Sequence, residues 1–145
     1  MVFGDGGEFL SFLRRVTPPV IAPLPGGGQT RFQPIHVSDM AALIVAALAP
    51  DHADQTYEIG GPETLSLAKL ARLVRGREGR PSTVVSVPMG LAGAGLKLAD
   101  AVPGLPLGSD QYRALRLDNT TDNNAVERLG RPPAELTTVR EYLDR

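Results

Sequence analysis

Arg31, Gln33 and His36 are the side chains best suited by type and spacing to hold a ligand. They stand on a short extended run after the turn Gly26-Gly27-Gly28. A guanidinium matches a phosphate or carboxylate through two parallel N–H donors, so Arg31 has either an anion-binding role or that of an exposed structural arginine. His36 either packs at a strand end or lines a pocket. Ser38, Asp39 and His36 are the residue types of a hydrolase triad, but they are neighbours in sequence, whereas a triad is assembled from separated segments. Helix capping accounts for Ser38 and Asp39. The three glycines could cradle a phosphate through backbone N–H groups, but no P-loop lysine follows, and a turn between extended segments explains them. Gly90-x-x-Gly93-x-Gly95 follows an expected strand and opens an expected helix. Its spacing departs from G-x-G-x-x-G, and close helix packing accounts for its small residues. The absence of cysteine excludes disulfides, thiolate metal sites and a cysteine nucleophile, and two histidines argue against a histidine-based metal site.

The elements that must position these residues read as an α/β alternation. Met1-Val2-Phe3-Gly4 reads as a strand end running into a glycine turn. Asp5-x-x-Glu8 resembles a capping box ahead of a short helix through Phe9, Leu10, Phe12, Leu13 and Val16, stopped before Pro18-Pro19. Val20–Leu24 reads as a strand, and Thr30–His36 as an extended run that Pro34 breaks. Met40, Leu43, Ile44, Ala47 and Leu48 fall on one helical stripe, capped by Ser38 or Asp39 and ended by Pro50. Thr56–Ile59 reads as a short strand before Gly60-Gly61, and Ser66 caps a second amphipathic helix carrying Leu67, Leu70, Ala71 and Val74. Thr83–Val87 is a further strand, followed by a helix over Met89–Ala101, a loop over Pro103–Gly108 and a helix over Asp110–Leu117. Asn123–Leu129 forms a short helix ended by Gly130, and a last helix lies within Ala134–Arg145.

The chain has 145 residues and ordinary apolar and charged fractions, as expected of one domain. A net charge of -1 argues against a generic nucleic-acid binder. The longest apolar stretch, Val84–Val102, is broken by Ser86, Pro88, Lys97 and Asp100 and is read as no transmembrane segment. No signal peptide is visible. The lack of cysteine fits a reducing cytoplasm.

From Pro23 through Ala41 the chain resembles the extended and atypical branches of the short-chain dehydrogenase/reductase superfamily, which include nucleotide-sugar epimerases. The residues that carry this are Gly26-Gly27-Gly28, Arg31 and the helix start Val37-x-Asp39-x-Ala41, followed by Tyr57-Glu58-Ile59-Gly60-Gly61-Pro62. Phe9-Leu10, Pro23-Leu24-Pro25 and the tail from Pro103 to Gly130 resemble the atypical subgroup that contains the Rossmann-type accessory subunit of respiratory complex I, an NADH-ubiquinone oxidoreductase. The resemblance implies the C-terminal, substrate-side part of a Rossmann-type, NAD(P)-binding fold, with residues 1–145 as one domain, a helical tail and the N-terminal dinucleotide-binding half absent. It implies NAD or NADP as cofactor of the full-length parent and none for this chain alone. It places Arg31, with Gln33 and His36, towards a nucleotide-sugar-like substrate, and Val2, Phe3 and Gly4 near the nicotinamide. No catalytic residue is carried over. The family's Tyr-x-x-x-Lys is missing, since Tyr57 has Gly61 and Tyr112 has Arg116 at the lysine's offset, and Tyr142 has no residue there. The expected location is cytoplasmic or peripheral to a membrane complex. The alternative function is a non-catalytic assembly module that binds a protein partner or a second copy. A truncated sheet would expose an edge at Thr56–Ile59 or Thr83–Val87 for that purpose.

Overall fold

Two parallel strand pairs and one antiparallel pair are held together by helices in this computed structural model. The structure describes residues 1–18, 20–76, 83–88, 90, 91, 115 and 117–145. The expected helices at Met89–Ala101 and Asp110–Leu117, the loop at Pro103–Gly108 and most of the Gly90–Gly95 run therefore lie outside the described residues. In chain order the elements are β1 (Val2–Phe3), α1 (Glu8–Val16), β2 (Ile21–Pro25), β3 (Arg31–Phe32), β4 (Ile35–His36) and α2 (Val37–Ala47). They continue with β5 (Leu65–Ser66), α3 (Leu67–Gly76), β6 (Thr83–Val87) and α4 (Val139–Leu143). This is the α/β alternation expected from the sequence.

The extended run breaks at Pro34, which has no N–H to give a ladder, into β3 and β4 with different partners. Strand β4 pairs in parallel with β1, with Val2 opposite Ile35 and Phe3 opposite His36. Strand β3 pairs antiparallel with β5 and bridges Asn119 on its other side. Strand β2 pairs in parallel with β6 from Ile21↔Thr83 to Pro25↔Val87. Thr83–Val87 is thus a strand with one partner among the described residues. Thr56–Ile59 is not a strand, and of its residues only Glu58 makes a bridge, to Asn124. Too few consecutive backbone groups find a partner there to build a ladder.

Two apolar cores result. The larger joins Phe3, Leu10, Leu13, Leu24, Phe32, Leu70, Val74 and Val139, so α1, α3 and α4 cover the strands. The smaller joins Ile35, Leu43, Val126, Leu129 and Leu136. Within α2 the sequence stripe is split. Leu43 is buried and Met40 and Ala47 lie against the smaller core, whereas Ile44 is 56% and Leu48 78% exposed.

The helix ends depart from the local rules. Helix α1 is capped at Gly7 without a side-chain bond, because the Asp5 carboxylate accepts instead from the Tyr142 hydroxyl at 2.9 Å. Helix α2 is capped by His36, whose Nδ1 accepts from the Ser38 N–H at 3.3 Å. Asp39 turns inward, accepting from the Thr137 N–H at 2.7 Å and pairing with Arg131 at 3.2 Å. Ser66 does cap α3, accepting from the Lys69 N–H at 3.2 Å. Thr138 forms a full capping box with Glu141 on α4. The expected helix before Gly130 is a 3-10 turn, Glu127–Leu129, and Gly130 ends it at φ 75°.

The segment 117–124 is strapped to β3 and to Gln33 beyond it. Asn119 donates its N–H to Arg31 O at 2.7 Å, and Gln33 donates its own to Asn119 O at 3.0 Å. The Asp118 carboxylate accepts from the Arg31 N–H and from Arg31 Nε, both at 2.8 Å. The Arg31 backbone N–H, then its side chain, holds the Asp118 carboxyl below the usual carboxylate range. Thr138 does the same to Glu141. Gly60 and Gly61 pack so close to Gln33 and Pro34 that a Cβ on Gly61 would lie 1.6 Å from Pro34 O.

Two predictions follow from this strapping. Gly61→Ala is expected to cost about 3 kcal/mol or more, since the clash is with backbone. Gly76→Ala meets nothing within 4 Å and is expected to change stability by less than about 0.5 kcal/mol, both read from urea unfolding. Carboxylates with a depressed folded pKa stabilise fully above their unfolded pKa, and that contribution is lost as pH falls through the folded value. Acid titration of the melting temperature is therefore expected to show a loss below the normal carboxylate range, with a shallower slope in Asp118→Asn.

Candidate functional site

The carboxyl ends of β1 and β4 lie side by side because Phe3 and His36 are in register. A cleft of about 880 Å³ opens beyond them. Gly4-Asp5-Gly6-Gly7 forms one wall, α1 supplies Phe9, Phe12, Arg14 and Arg15, and the start of α2 supplies Ser38. The last residues of the chain, Tyr142, Leu143 and Arg145, close it.

Glycine is required at position 4, where φ is 146° and a Cβ would lie 2.5 Å from Val37 Cγ1. The chain can then leave β1 and return into α1, with the Gly7 N–H donating to Gly4 O at 3.0 Å. His36 is 8% exposed. Its ring makes a T-shaped contact with Phe3 at 5.3 Å and a tilted one with Tyr142 at 5.3 Å. Because Nδ1 accepts the Ser38 N–H, the neutral ring carries its proton on Nε2, the atom that faces Gly4. Tyr142 is fixed by its bond to Asp5 and by edge contact with Phe3 at 5.6 Å. The site thus offers an imidazole N–H, a phenol hydroxyl, a carboxylate, glycine backbone and guanidinium groups around an aromatic floor. That set can orient a polar or anionic ligand with a flat apolar part.

The sequence candidates are dispersed by the fold. Gly4 and His36 meet in the cleft. Phe3 is in the core, in T-shaped contact with His36 and Tyr142, and Val2 is 43% exposed. Arg31 has a side chain 63% exposed and is held by Asp118, outside the cleft lining. The Gln33 amide is a strut, with Nε2 donating to Gly61 O at 3.1 Å and Oε1 accepting the Thr121 N–H at 3.1 Å. Asp5 is singled out only as a helix cap, and no motif marks Tyr142 or the arginines of the cleft as site residues. Tyr142 reaches Asp5 across 137 residues, and no local pattern records such a contact. Among the described residues no group of three or more His, Asp or Glu could hold a metal ion, and no helix is long and apolar enough to cross a membrane.

No family model matches the chain. It is similar to an alpha-subcomplex subunit 9 of mitochondrial NADH dehydrogenase (ubiquinone) from Arabidopsis thaliana, 37% identical over 117 residues, which are 72% of this chain and 29% of that protein. It is similar to an NAD(P)H azoreductase from Xenophilus azovorans, 34% identical over 100 residues, 63% of this chain and 35% of the other. The matches thus span about a third of the length of these relatives. Among solved structures, the NADPH-dependent quinone oxidoreductase QOR2 of Escherichia coli superposes with a TM-score of 0.69 at 20% identity, over 94% of this chain and 50% of that one. A structure of the same enzyme complexed with NADPH gives 0.64 at 20% identity, over 94% and 48%. A nucleoside-diphosphate-sugar epimerase from Staphylococcus aureus gives 0.61 at 18% identity, over 94% and 48%. These structures share the Rossmann-like α/β fold. In sequence and fold, this chain is a part-length relative of the NAD(P)-dependent reductase- and epimerase-like proteins of the extended and atypical short-chain dehydrogenase/reductase type.

Proposed function

We propose that this chain supplies the substrate-side part of an NAD(P)-dependent reductase- or epimerase-like protein, with the ligand lying in the cleft walled by Gly4, His36 and Tyr142. One observation carries the reading. The cleft lies at the carboxyl ends of two parallel strands, where open α/β sheets bind their ligands. The imidazole Nε2–H would donate to a carbonyl or hydroxyl oxygen, the Tyr142 oxygen, whose proton goes to Asp5, would accept from a hydroxyl, and the aromatic residues would cover a ring. Arg31 and Gln33 serve the fold in this reading, and the backbone of Gly4–Gly7 is the part of the chain that would face a nicotinamide ring.

The residues present fit that cofactor only in part. The glycine turn allows close approach, but G-x-G-x-x-G, the sequence that cradles a pyrophosphate, does not occur among the 145 residues, and neither does Tyr-x-x-x-Lys. When bound, a nicotinamide would supply hydride chemistry. The pyrophosphate site and any tyrosine–lysine pair are assigned to polypeptide outside this sequence, so the chain does not transfer hydride by itself.

A second reading, an assembly module that binds a protein partner, is favoured by α2. Val37, Ala41, Ile44, Val45 and Leu48 form an exposed stripe at helical spacing, and Asp39, the helix's one charged residue, is turned inward. A helix apolar on both sides is normally covered. The Arabidopsis relative is itself a subunit of a larger complex by name.

Amide NMR of the chain titrated with NADPH and with NADH tests the first reading. Weak shifts centred on Gly4–Gly7, His36 and Ser38 are expected, unchanged in Arg31→Ala and reduced several-fold in His36→Ala. A dissociation constant below about 10 µM, near −7 kcal/mol, would overturn the assignment of the pyrophosphate site to other polypeptide, and shifts centred on Arg31 would move the ligand out of the cleft. For the second reading, sedimentation is expected to show association that Ile44→Lys with Leu48→Lys abolishes while the circular dichroism stays unchanged.

A further inference from the structure

A second concavity, of about 400 Å³, lies between α3 and α4. It is lined by Lys69, Arg72, Leu73 and Gly76 of α3 and by Arg140, Leu143 and Asp144 at the end of the chain. Apart from Leu143, its residues are not those of the cleft. The helix α3 explains how it forms. Leu70, Ala71 and Val74 face the core, which turns Lys69 and Arg72, three residues apart, to one outer face. Gly76 continues that face without a side chain, so the groove stays open.

Several arginines elsewhere among the described residues are engaged within the chain. Arg31 and Arg131 each have a carboxylate partner. Arg75 turns its guanidinium to main-chain carbonyls, with Nε donating to Thr17 O at 2.5 Å and Nη2 donating to Arg14 O. Lys69, Arg72 and Arg140 have no ion-pair partner among the described residues and are all exposed. Among the described residues, three cations therefore converge on a groove with one carboxylate, Asp144, in a chain whose net charge is -1. Like charges brought together in this way repel unless an anion lies between them. The floor is apolar, formed by the half-buried Leu73 and Leu143.

We infer that this groove binds an organic phosphate, whose oxygens are held by Arg72, Arg140 and Lys69 and whose apolar part lies on Leu73 and Leu143. Guanidinium groups bind phosphate through paired N–H donors, and an ammonium adds a point charge. The same chemistry is presented by a phospholipid headgroup and by a free phosphate ester. The site shares only Leu143 with the cleft, and its charged residues do not depend on the proposed cofactor.

Hexyl phosphate is the probe, with hexanol as the apolar control, and both are followed by amide shifts of the whole chain. Saturable shifts centred on Lys69, Arg72, Gly76 and Arg140 are expected for hexyl phosphate and none for hexanol. Arg72→Gln with Arg140→Gln, both exposed positions, is expected to weaken binding at least about tenfold, since each change removes a charged pair of N–H donors. The melting temperature should be unchanged. Co-sedimentation with phosphatidylcholine vesicles, with and without phosphatidic acid, separates the sources. Retention on the acidic vesicles that the double variant loses assigns a lipid headgroup, and hexyl phosphate binding without retention assigns a free ester. Absence of saturable shifts in the groove, or shifts equally large at Arg14 and Arg15, would overturn the proposal.

Discussion

Six consecutive residues, Arg31 to His36, hold this protein together because their backbone is shared among four segments. Arg31 and Phe32 pair with β5 on one side and with Asn119 on the other. Gln33 O accepts the Gly61 N–H at 3.2 Å, and the Ile35 N–H reaches Met1 O at 3.0 Å. Buried backbone groups left unpaired are costly, so each of these partners is fixed by the run as much as it fixes it. Pro34 makes the sharing workable. It cannot donate, and at that point the chain changes from the β5 partner to the β1 partner. The glycines at 60 and 61 are the complement of this arrangement, because only a residue without Cβ fits beside Pro34 O.

The cleft is a consequence of the same run. The register that puts Phe3 opposite His36 sets the imidazole beside the glycine turn. It also puts His36 at the N-cap of α2, where its ring serves as cap and as wall at once. An imidazole cap frees Asp39 from that duty. The carboxylate is then available inside, where it ties the approach to α4 through the Thr137 N–H and Arg131. A buried charge is tolerated when it is paired and hydrogen-bonded, and Asp39 is both. Through this contact the position of α4, and hence of Tyr142 in the cleft, depends on a residue that does not touch the cleft.

What the sequence made legible was local. The glycine turns, the break at Pro34, the Ser66 cap and the apolar face of α3 all follow from residues within a few positions of one another. The helix starts of α1 and α2 were misread for one reason. Asp5, Ser38 and Asp39 are good caps by type, but Asp5 and Asp39 had better partners 137 and 98 residues away. Arg31 was legible as an anion-binding residue, and it does hold an anion, the Asp118 carboxylate of this same chain. Residue type alone does not distinguish an internal carboxylate from a ligand. The resemblance to dehydrogenase-like proteins supplied the architecture with Gly4 and His36, whereas Asp5 and Tyr142 are brought to the cleft by a contact no motif encodes.

The distribution of apolar surface completes the physical picture. Parallel strands occur almost always with both faces covered. In the β2–β6 pair Ala22 and Leu24 face the core, while Ile21 and Val85 remain exposed on the other side. Helix α2 repeats the pattern, with Leu43 inward and Ile44, Val45 and Leu48 outward. Scattered exposed apolar residues are ordinary, but a stripe along a helix with no outward charge is the kind of surface that associates. The solved neighbours contain about as much chain again as this one matches. Val37, at the head of that stripe, lies against Gly4 of the cleft, so whatever removes this apolar surface from water would border the ligand site as well.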